Sequence, residues 1–146
     1  MTGISEGLVS AYMKTKYVVN SPNPFELQIA TPSLAADKLL EGYGVEAATI
    51  ITAFNPFSQL KSVEANQKAN ALLLQQLKEM KLASFPTEAI DPDGEWPIEL
   101  GFFVMGLTQA EAIKLCNLYR QNAVVWHQKG KETKVLSGAG MFLGDG

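Results

Sequence analysis

A chain of 146 residues that is 47% apolar is long enough and apolar enough to form one globular domain with a hydrophobic core. Its formal charge of −3 argues against a nucleic-acid partner, because nonspecific binding to nucleic acid requires clustered cations. The single cysteine excludes an internal disulfide framework. We expect a cytoplasmic protein without a membrane partner, since there is no leader-like N-terminal segment and no apolar run of about 20 residues.

Residues 1–45 are predicted to form a helix–hairpin–helix extension. The apolar residues of the first segment recur at helical spacing, and the second segment alternates in the manner of a half-buried strand. Thr31 followed by Pro32 is typical of an N-cap and the first position of a helix. The predicted elements are a helix from Ser5 to Lys14, strands at Lys16–Asn20 and Phe25–Ala30, and a helix from Leu34 to Glu41.

Residues 46–137 are predicted to form the core on which the extension packs. The predicted elements are a buried strand at Ala47–Phe54, a long helix from the N-cap Ser62 to about Lys81, an extended segment at Leu82–Ile90, a strand at Ile98–Met105, a helix at Gln109–Arg120 behind a Thr108/Glu111 capping box, and strands at Ala123–Trp126 and Thr133–Leu136. From Ala47 the order of elements is βαββαβ, which is the ferredoxin-like order.

We therefore predict one α+β domain over residues 1–146, in which the helices pack on a mixed sheet. The glycine-rich tail, residues 138–146, is expected either to be flexible or to dock through Met141, Phe142 and Leu143.

Two asparagines lie on the face of the long helix that should point to the core. At about 100° per residue, Asn66 and Asn70 share a stripe with Val63, Leu74 and Leu77. A buried amide without a partner costs about 1–3 kcal/mol, so both asparagine side chains need partners.

Asn55 and Ser58 lie on the loop between the strand and the long helix. The simplest arrangement gathers them with Asn66 and Asn70 at the carboxyl end of the strand, where ligands bind in α/β folds. We predict that these four side chains bind a ligand. The alternative is that they bond to backbone or to one another.

Glu99 is the charged residue of an otherwise apolar strand. A carboxylate removed from water needs a partner, and Arg120, a lysine or the asparagines could supply it. Beside a pocket its pKa would rise, so Glu99 is the candidate catalytic base; an ion-paired or edge-exposed residue is the alternative. Gln121 is a further ligand-binding candidate, although amides at helix ends also close turns. Trp96 is either a packing residue or the floor of a pocket.

No metal site and no cofactor are predicted. Asp91-Pro92-Asp93-Gly94 resembles part of a calcium loop, but Leu100 stands where the EF-hand requires a glutamate, so a turn stabilised by aspartate side chains is expected. His127 is the one histidine and Cys116 the one cysteine, which leaves no zinc site of normal ligand spacing. Cys116 is predicted to be a small core residue.

Three motifs stand out in combination: Ile-Thr-Ala-Phe-Asn-Pro at 51–56, Asp-Pro-Asp-Gly-Glu-Trp at 91–96, and Gln-Asn-Ala at 121–123. Together with Ser58, Asn66, Asn70 and Glu99 they resemble a family of small bacterial proteins known only as a domain of unknown function. The resemblance extends from Tyr12 to Trp126. Gly101 departs from it, because some members carry a hydroxyl residue near this position. The resemblance implies a bacterial origin and a set of polar side chains that come from three segments of the chain. It implies no known activity or cofactor.

Two functions are compatible with the sequence. The first is binding of a small polar or nucleotide-like ligand at the asparagine-rich site, with or without a reaction. The second is a protein-interaction module without catalytic activity, which would use an exposed edge strand near Val135, the lysines around it and the apolar segment 141–143. The sequence leaves open whether the protein is an enzyme and what its oligomeric state is.

Overall fold

An eight-stranded sheet with helices on both faces is the centre of the computed structural model, which describes residues 5–143. The helices are α1 (Glu6–Lys14), α2 (Leu34–Tyr43), α3 (Val63–Glu79) and α4 (Gln109–Leu118). The strands are β1 (Lys16–Val19), β2 (Phe25–Leu27), β3 (Ala47–Ile51), β4 (Ser84–Ile90), β5 (Glu99–Met105), β6 (Ala123–Gln128), β7 (Lys134–Ser137) and β8 (Phe142–Leu143). Residues 1–4 and 144–146, which the predicted extension and tail include, lie outside the described residues.

The sheet has the order β2-β1-β4-β5-β3-β6-β7-β8, and each neighbouring pair is antiparallel. The α+β class is therefore right, and the prediction of a mixed sheet is wrong. The physical reason lies in the β3–α3–β4 crossover. Strands β3 and β4 run in the same direction, but β5 lies between them and pairs with both, so no parallel ladder forms.

Alternation along the central strands produces two apolar faces. Ala123 and Val125 of β6 point to one face, and Val124 and Trp126 point to the other. The first face packs against α1 and α2, and the second packs against α3 and α4. Every residue of β3 is buried, as its continuous apolar pattern predicts.

Two helix starts follow capping residues that the sequence predicts, Ser62 at α3 and Thr108 at α4. The side chains of Ser5 and Ser62 cap α1 and α3, and Thr108 forms the predicted capping box at α4. At α2 the predicted cap is wrong, because Ser33 and not Thr31 accepts the capping hydrogen bond, although the helix begins at Leu34 as predicted. No helix within residues 5–143 has both the length and the apolarity needed to cross a membrane.

The buried stripe of α3 is shifted from the predicted one. It consists of Asn66, Asn70, Leu73 and Leu77, while Val63 is 63% exposed. The intervals of four, three and four residues keep these four side chains on one face of a helix with 3.6 residues per turn. Both asparagines are therefore in the core, as predicted.

The predicted exposed edge at Val135 is wrong. This residue is fully buried in β7, which pairs with β6 on one side and with β8 on the other. Phe142 and Leu143 supply the covering strand, so the apolar segment near the C-terminus occupies the position that an interaction partner would need.

His127 has partners that the sequence pattern did not indicate. Its ring is fully buried, its Nε2 lies 2.8 Å from Asp37 Oδ1, and its Nδ1 lies 3.0 Å from Thr133 Oγ1. Asp37 Oδ1 also accepts a hydrogen bond from the Gly130 backbone N–H at 3.1 Å. These contacts attach α2 to the β6–β7 hairpin.

Candidate functional site

The loop that follows β3 has an unusual backbone. Asn55, Phe57 and Ser58 have φ angles of 46°, 51° and 60°, in the left-handed region. Asparagine adopts this conformation readily, whereas the other two need support from the surrounding structure. The Phe57 N–H donates to the Arg120 carbonyl at 2.7 Å, and Asn122 Nδ2 donates to Ser58 Oγ at 3.0 Å. The junction after α4 therefore holds this loop in place.

Asn66 fixes Asn55 through two hydrogen bonds. The Asn55 backbone N–H donates to Asn66 Oδ1, and Asn66 Nδ2 donates to Asn55 Oδ1, both at 2.9 Å. Asn55 Oδ1 also accepts a hydrogen bond from the Lys61 N–H at 2.9 Å. Both asparagines are buried, so these bonds confirm that their amides have the partners that burial requires.

Asn70 performs a similar role one turn further along α3. Its Oδ1 accepts a hydrogen bond from the Ala53 N–H, and its Nδ2 donates to the Leu100 carbonyl, both at 2.8 Å. The side chain thereby connects the chain after β3 with β5. Both partners of the Asn70 side chain are backbone groups, which agrees with the alternative prediction that the asparagines bond to backbone.

Glu99, at the start of β5, accepts two hydrogen bonds on one oxygen. Asn55 Nδ2 and Trp96 Nε1 both donate to Oε2 at 2.9 Å, while Oε1 accepts none from the described residues. Burial raises the pKa of Glu99, and the hydrogen bonds from Asn55 and Trp96 partly oppose this shift. Of the expected partners, the asparagine cluster is the one found. Neither Arg120 nor a lysine among residues 5–143 forms an ion pair with this carboxylate.

A cavity of about 510 Å³ lies between α1 and the face of the sheet that α1 and α2 cover. The β4–β5 loop and the loop after β3 also contribute to its wall. Its apolar and aromatic lining includes Leu8, Ala11, Tyr12, Tyr17, Ile50, Ala89, Trp96, Ala123, Val124 and Val125. Its polar lining includes Lys14, Thr15, Thr52, Ser58, Thr87, Asp91, Glu95, Glu99 and Gln121.

Two tyrosines bring aromatic surface to this cavity, one from α1 and one from β1. Burial raises the pKa values of Tyr12 and Tyr17, and the negative charge of Glu99 raises both further. Both hydroxyls therefore stay protonated at neutral pH. Trp96, which the sequence suggested as the floor of a pocket, also lines the cavity.

The β4–β5 loop forms an acidic mouth. The Asp91 carboxylate accepts hydrogen bonds from the backbone N–H groups of Asp93, Glu95 and Trp96, and these bonds lower the pKa of Asp91. The turn is thus stabilised by an aspartate side chain, as predicted. Lys14 Nζ lies 2.6 Å from Asp93 Oδ2, which attaches the end of α1 to this loop.

Three of the six predicted site residues line the cavity. These are Glu99, Ser58 and Gln121; the three asparagines do not line it. Gln121 Nε2 donates to the Phe54 carbonyl at 3.0 Å and to the Tyr119 carbonyl at 3.2 Å, which leaves its Oε1 without a donor among the described residues. Whether any of these side chains binds a ligand stays a prediction.

Sequence reasoning missed the part of the cavity that comes from the N-terminal segment. The predicted N-terminal extension, to which the sequence assigns no role in the site, contributes Tyr12, Lys14 and Tyr17 to the lining. The amphipathic pattern of α1 was the available signal, but a pattern of this kind does not show which surface the helix covers.

Other reactive groups lie apart from the cavity. Cys116 is buried, burial raises its pKa to about 11, and its thiol donates to the Gln121 carbonyl at 3.2 Å. It is a core residue, as predicted. Within residues 5–143, no three His, Cys, Asp or Glu side chains are placed so that they could hold a metal ion together.

Comparison with known proteins gives one match. Residues 51–124, about half of the 146-residue chain, match the model of a family described as "Protein of unknown function (DUF3293)". No curated protein and no solved structure matches the chain. The matched segment contains the asparagine cluster and Glu99, and it is shorter than the expected extent from Tyr12 to Trp126. Helix α1, which covers the cavity, lies outside it.

Proposed function

We propose that this chain, which belongs to the DUF3293 family, binds a small organic molecule in the cavity between α1 and the sheet. The observation that carries the proposal is the Glu99 carboxylate, which lines a cavity of about 510 Å³ and has one oxygen, Oε1, that accepts no hydrogen bond from residues 5–143. Ligand sites in proteins commonly have volumes of about 300–1,000 Å³ and combine an apolar lining with a few placed polar groups.

The polar lining indicates which groups the ligand carries. Within the described range no residue donates to Glu99 Oε1 or to Gln121 Oε1, so these two acceptors favour a ligand with N–H or O–H groups. The carboxylates of Asp91 and Glu95 at the mouth disfavour a phosphate group. A small polar ligand therefore fits this cavity better than a nucleotide.

The asparagines support this function indirectly. Asn66 holds Asn55, and Asn55 holds the Glu99 carboxylate at the wall of the cavity. In this proposal they are positioning residues, whereas Glu99, Ser58 and Gln121 contact the ligand. If the ligand reacts, Glu99 is the lining group suited to accept a proton.

We also infer that β3–α3–β4–β5–α4–β6 forms a ferredoxin-like core. Its four strands have the order β4-β5-β3-β6, and α3 and α4 cover the same face, which are the features that support the inference. The β1–β2 hairpin extends the sheet beyond β4, and β7–β8 extends it beyond β6. The cavity lies on the face that this core leaves to α1 and α2.

Cavity-filling variants test the proposed ligand site. Ala89 on the sheet and Ala11 on α1 both line the cavity, so Ala89→Phe and Ala11→Phe should each fill part of it. A thermal-shift screen of metabolites should yield compounds that stabilise the wild type and Ala71→Phe, a matched control on the exposed side of α3. The same compounds should not stabilise either cavity-filling variant.

Two results would contradict the proposal. One is a set of compounds that stabilise the wild type and both cavity-filling variants equally. The other is a broad metabolite screen in which no compound changes either the melting temperature or the NMR signals of cavity residues.

A further inference from the structure

We infer that the cavity selects a ligand in which a positively charged amine is joined to an apolar body. This inference rests on the proposed function, because it names the class of molecule that the same cavity binds. Three independent features of the lining support it: the neutral hydrogen-bond donors of Glu99, the balance of charges at the mouth, and the aromatic surface beside the carboxylate.

Glu99 is a partly buried carboxylate that forms no ion pair with any residue between 5 and 143. Its two hydrogen-bond partners in the described part of the chain, the Asn55 amide and the Trp96 indole, are neutral N–H donors, so they orient the carboxylate without balancing its charge. A carboxylate withdrawn from water is costly unless a cation accompanies it. An ammonium group at Oε1 would supply the missing charge from inside the cavity.

The other ionisable groups of the lining add to the negative electrostatic potential that Glu99 creates in the cavity. Asp91 and Glu95 are acidic, and Lys14 is the cation among the described lining residues. Lys14 is paired with Asp93, at 2.6 Å, so its charge is already balanced. The mouth of the cavity therefore attracts cations and repels anions.

Aromatic surface lies beside the carboxylate. Trp96 is held there by its own hydrogen bond to Glu99, and Tyr12 and Tyr17 line the same cavity. The faces of Trp and Tyr rings attract alkylammonium groups, most strongly where water is excluded. The tyrosines are uncharged at neutral pH, so they contribute ring surface without further charge.

The rest of the lining suits an apolar body. Ile50, Ala123 and Val125 come from adjacent strands of the sheet, and Leu8 faces them from α1. An aryl or alkyl group placed there would bury apolar surface, while the amine remained at Glu99.

A set of three compounds of similar shape tests the selection by charge. We would measure binding of 2-phenylethylamine, 2-phenylethanol and 3-phenylpropionate by calorimetry at about pH 8, which is far above the ordinary pKa of a glutamate and below the pKa of an alkylamine. The amine should bind at least about ten-fold more tightly than the alcohol, because hydrogen bonds to charged groups are the stronger ones, and the carboxylate should bind most weakly.

Two variants test whether Glu99 causes the preference for the amine. Glu99→Gln keeps an oxygen that can accept from Asn55 and Trp96, so it should fold, and it should weaken amine binding about ten-fold while leaving the alcohol unchanged. Glu41→Gln removes an exposed charge on α2, outside the cavity lining, and should change amine affinity less than about three-fold.

The outcomes separate this inference from the proposed function. If the amine and the alcohol bind equally and Ala89→Phe blocks both, the cavity is a ligand site and selection by charge is overturned. Amine binding that Glu99→Gln leaves unchanged overturns the role of Glu99. If the wild type binds no amine at millimolar concentration, the inference fails, while the metabolite screen with the cavity-filling variants still decides the proposed function.

Discussion

Asn55 Nδ2 donates a hydrogen bond of 2.9 Å to Glu99 Oε2, and this contact joins the loop after β3 to the start of β5. Asn66 in turn holds Asn55 through two hydrogen bonds from the buried face of α3. The helix on one face of the sheet therefore sets the position of a carboxylate that lines a cavity on the other face.

Replacing Asn66 should destabilise the fold. Asn66→Ala leaves the buried N–H of Asn55 without an acceptor, which should lower the free energy of unfolding by about 2–3 kcal/mol. Urea denaturation measures the change. Gln67→Ala, on the exposed side of the same helix, is the control and should change stability by less than about 0.5 kcal/mol. Equal effects of the two substitutions would show that the Asn66 contacts contribute nothing.

Glu99 should make stability depend on pH in a particular direction. Its pKa in the folded protein lies above the ordinary value of 4.5, so between these two values the native state binds more protons than the unfolded state. Stability from this group is therefore largest at low pH and is lost as pH rises through the folded pKa.

The comparison with Glu99→Gln isolates this effect, because other titrating groups are common to both proteins. Urea unfolding from about pH 4 to about pH 8 should show wild type losing stability relative to the variant as pH rises. A constant difference, or one that changes in the opposite direction, would contradict the raised pKa.

Gly101 should not tolerate a side chain. A Cβ at this position would lie 2.7 Å from the Ile51 carbonyl oxygen and 3.1 Å from Thr87 Oγ1, so the central strands would have to separate. Gly101→Ala and Gly101→Ser should each lower the free energy of unfolding by roughly 1–3 kcal/mol. The hydroxyl residue expected near this position in related proteins therefore has no room at Gly101 itself.

Gly42→Ala provides the matched control for that substitution. Gly42 lies within α2, and apart from its chain neighbours and its own helix backbone no described atom lies within 4 Å of an added Cβ, so alanine there should stabilise the protein by roughly 0.5–1 kcal/mol. Chemical denaturation of both variants checks the pair. Similar stabilities for Gly101→Ala and wild type would mean that the strands can move apart without cost.

The buried histidine should depend on its aspartate. Asp37→Ala leaves His127 Nε2 and the Gly130 N–H without their shared partner, which should cost about 2–3 kcal/mol of unfolding free energy. Glu41→Ala, at an exposed position of the same helix, should change stability by less than about 0.5 kcal/mol. A loss of less than about 1 kcal/mol at Asp37 would indicate that water replaces the missing acceptor.

The sequence alone determined those features that depend on neighbouring residues. The caps at Ser62 and Thr108, the β1–β2 hairpin and the buried strand β3 all follow from local periodicity and from hydrogen bonds within a few positions. The need of Asn66 for a partner also followed from the sequence, because a polar residue on an apolar face is conspicuous without coordinates.

Only the tertiary structure decided where those partners are and what they surround. Asn66 bonds to Asn55, Glu99 accepts from neutral donors, and α1 covers a cavity whose walls come from distant segments. The sequence pattern shows that a side chain is turned inward, but the packing of the helices against the sheet decides which group it meets there. Cavities and long-range hydrogen bonds depend on that packing, so periodicity could predict the elements of this protein and not the site between them.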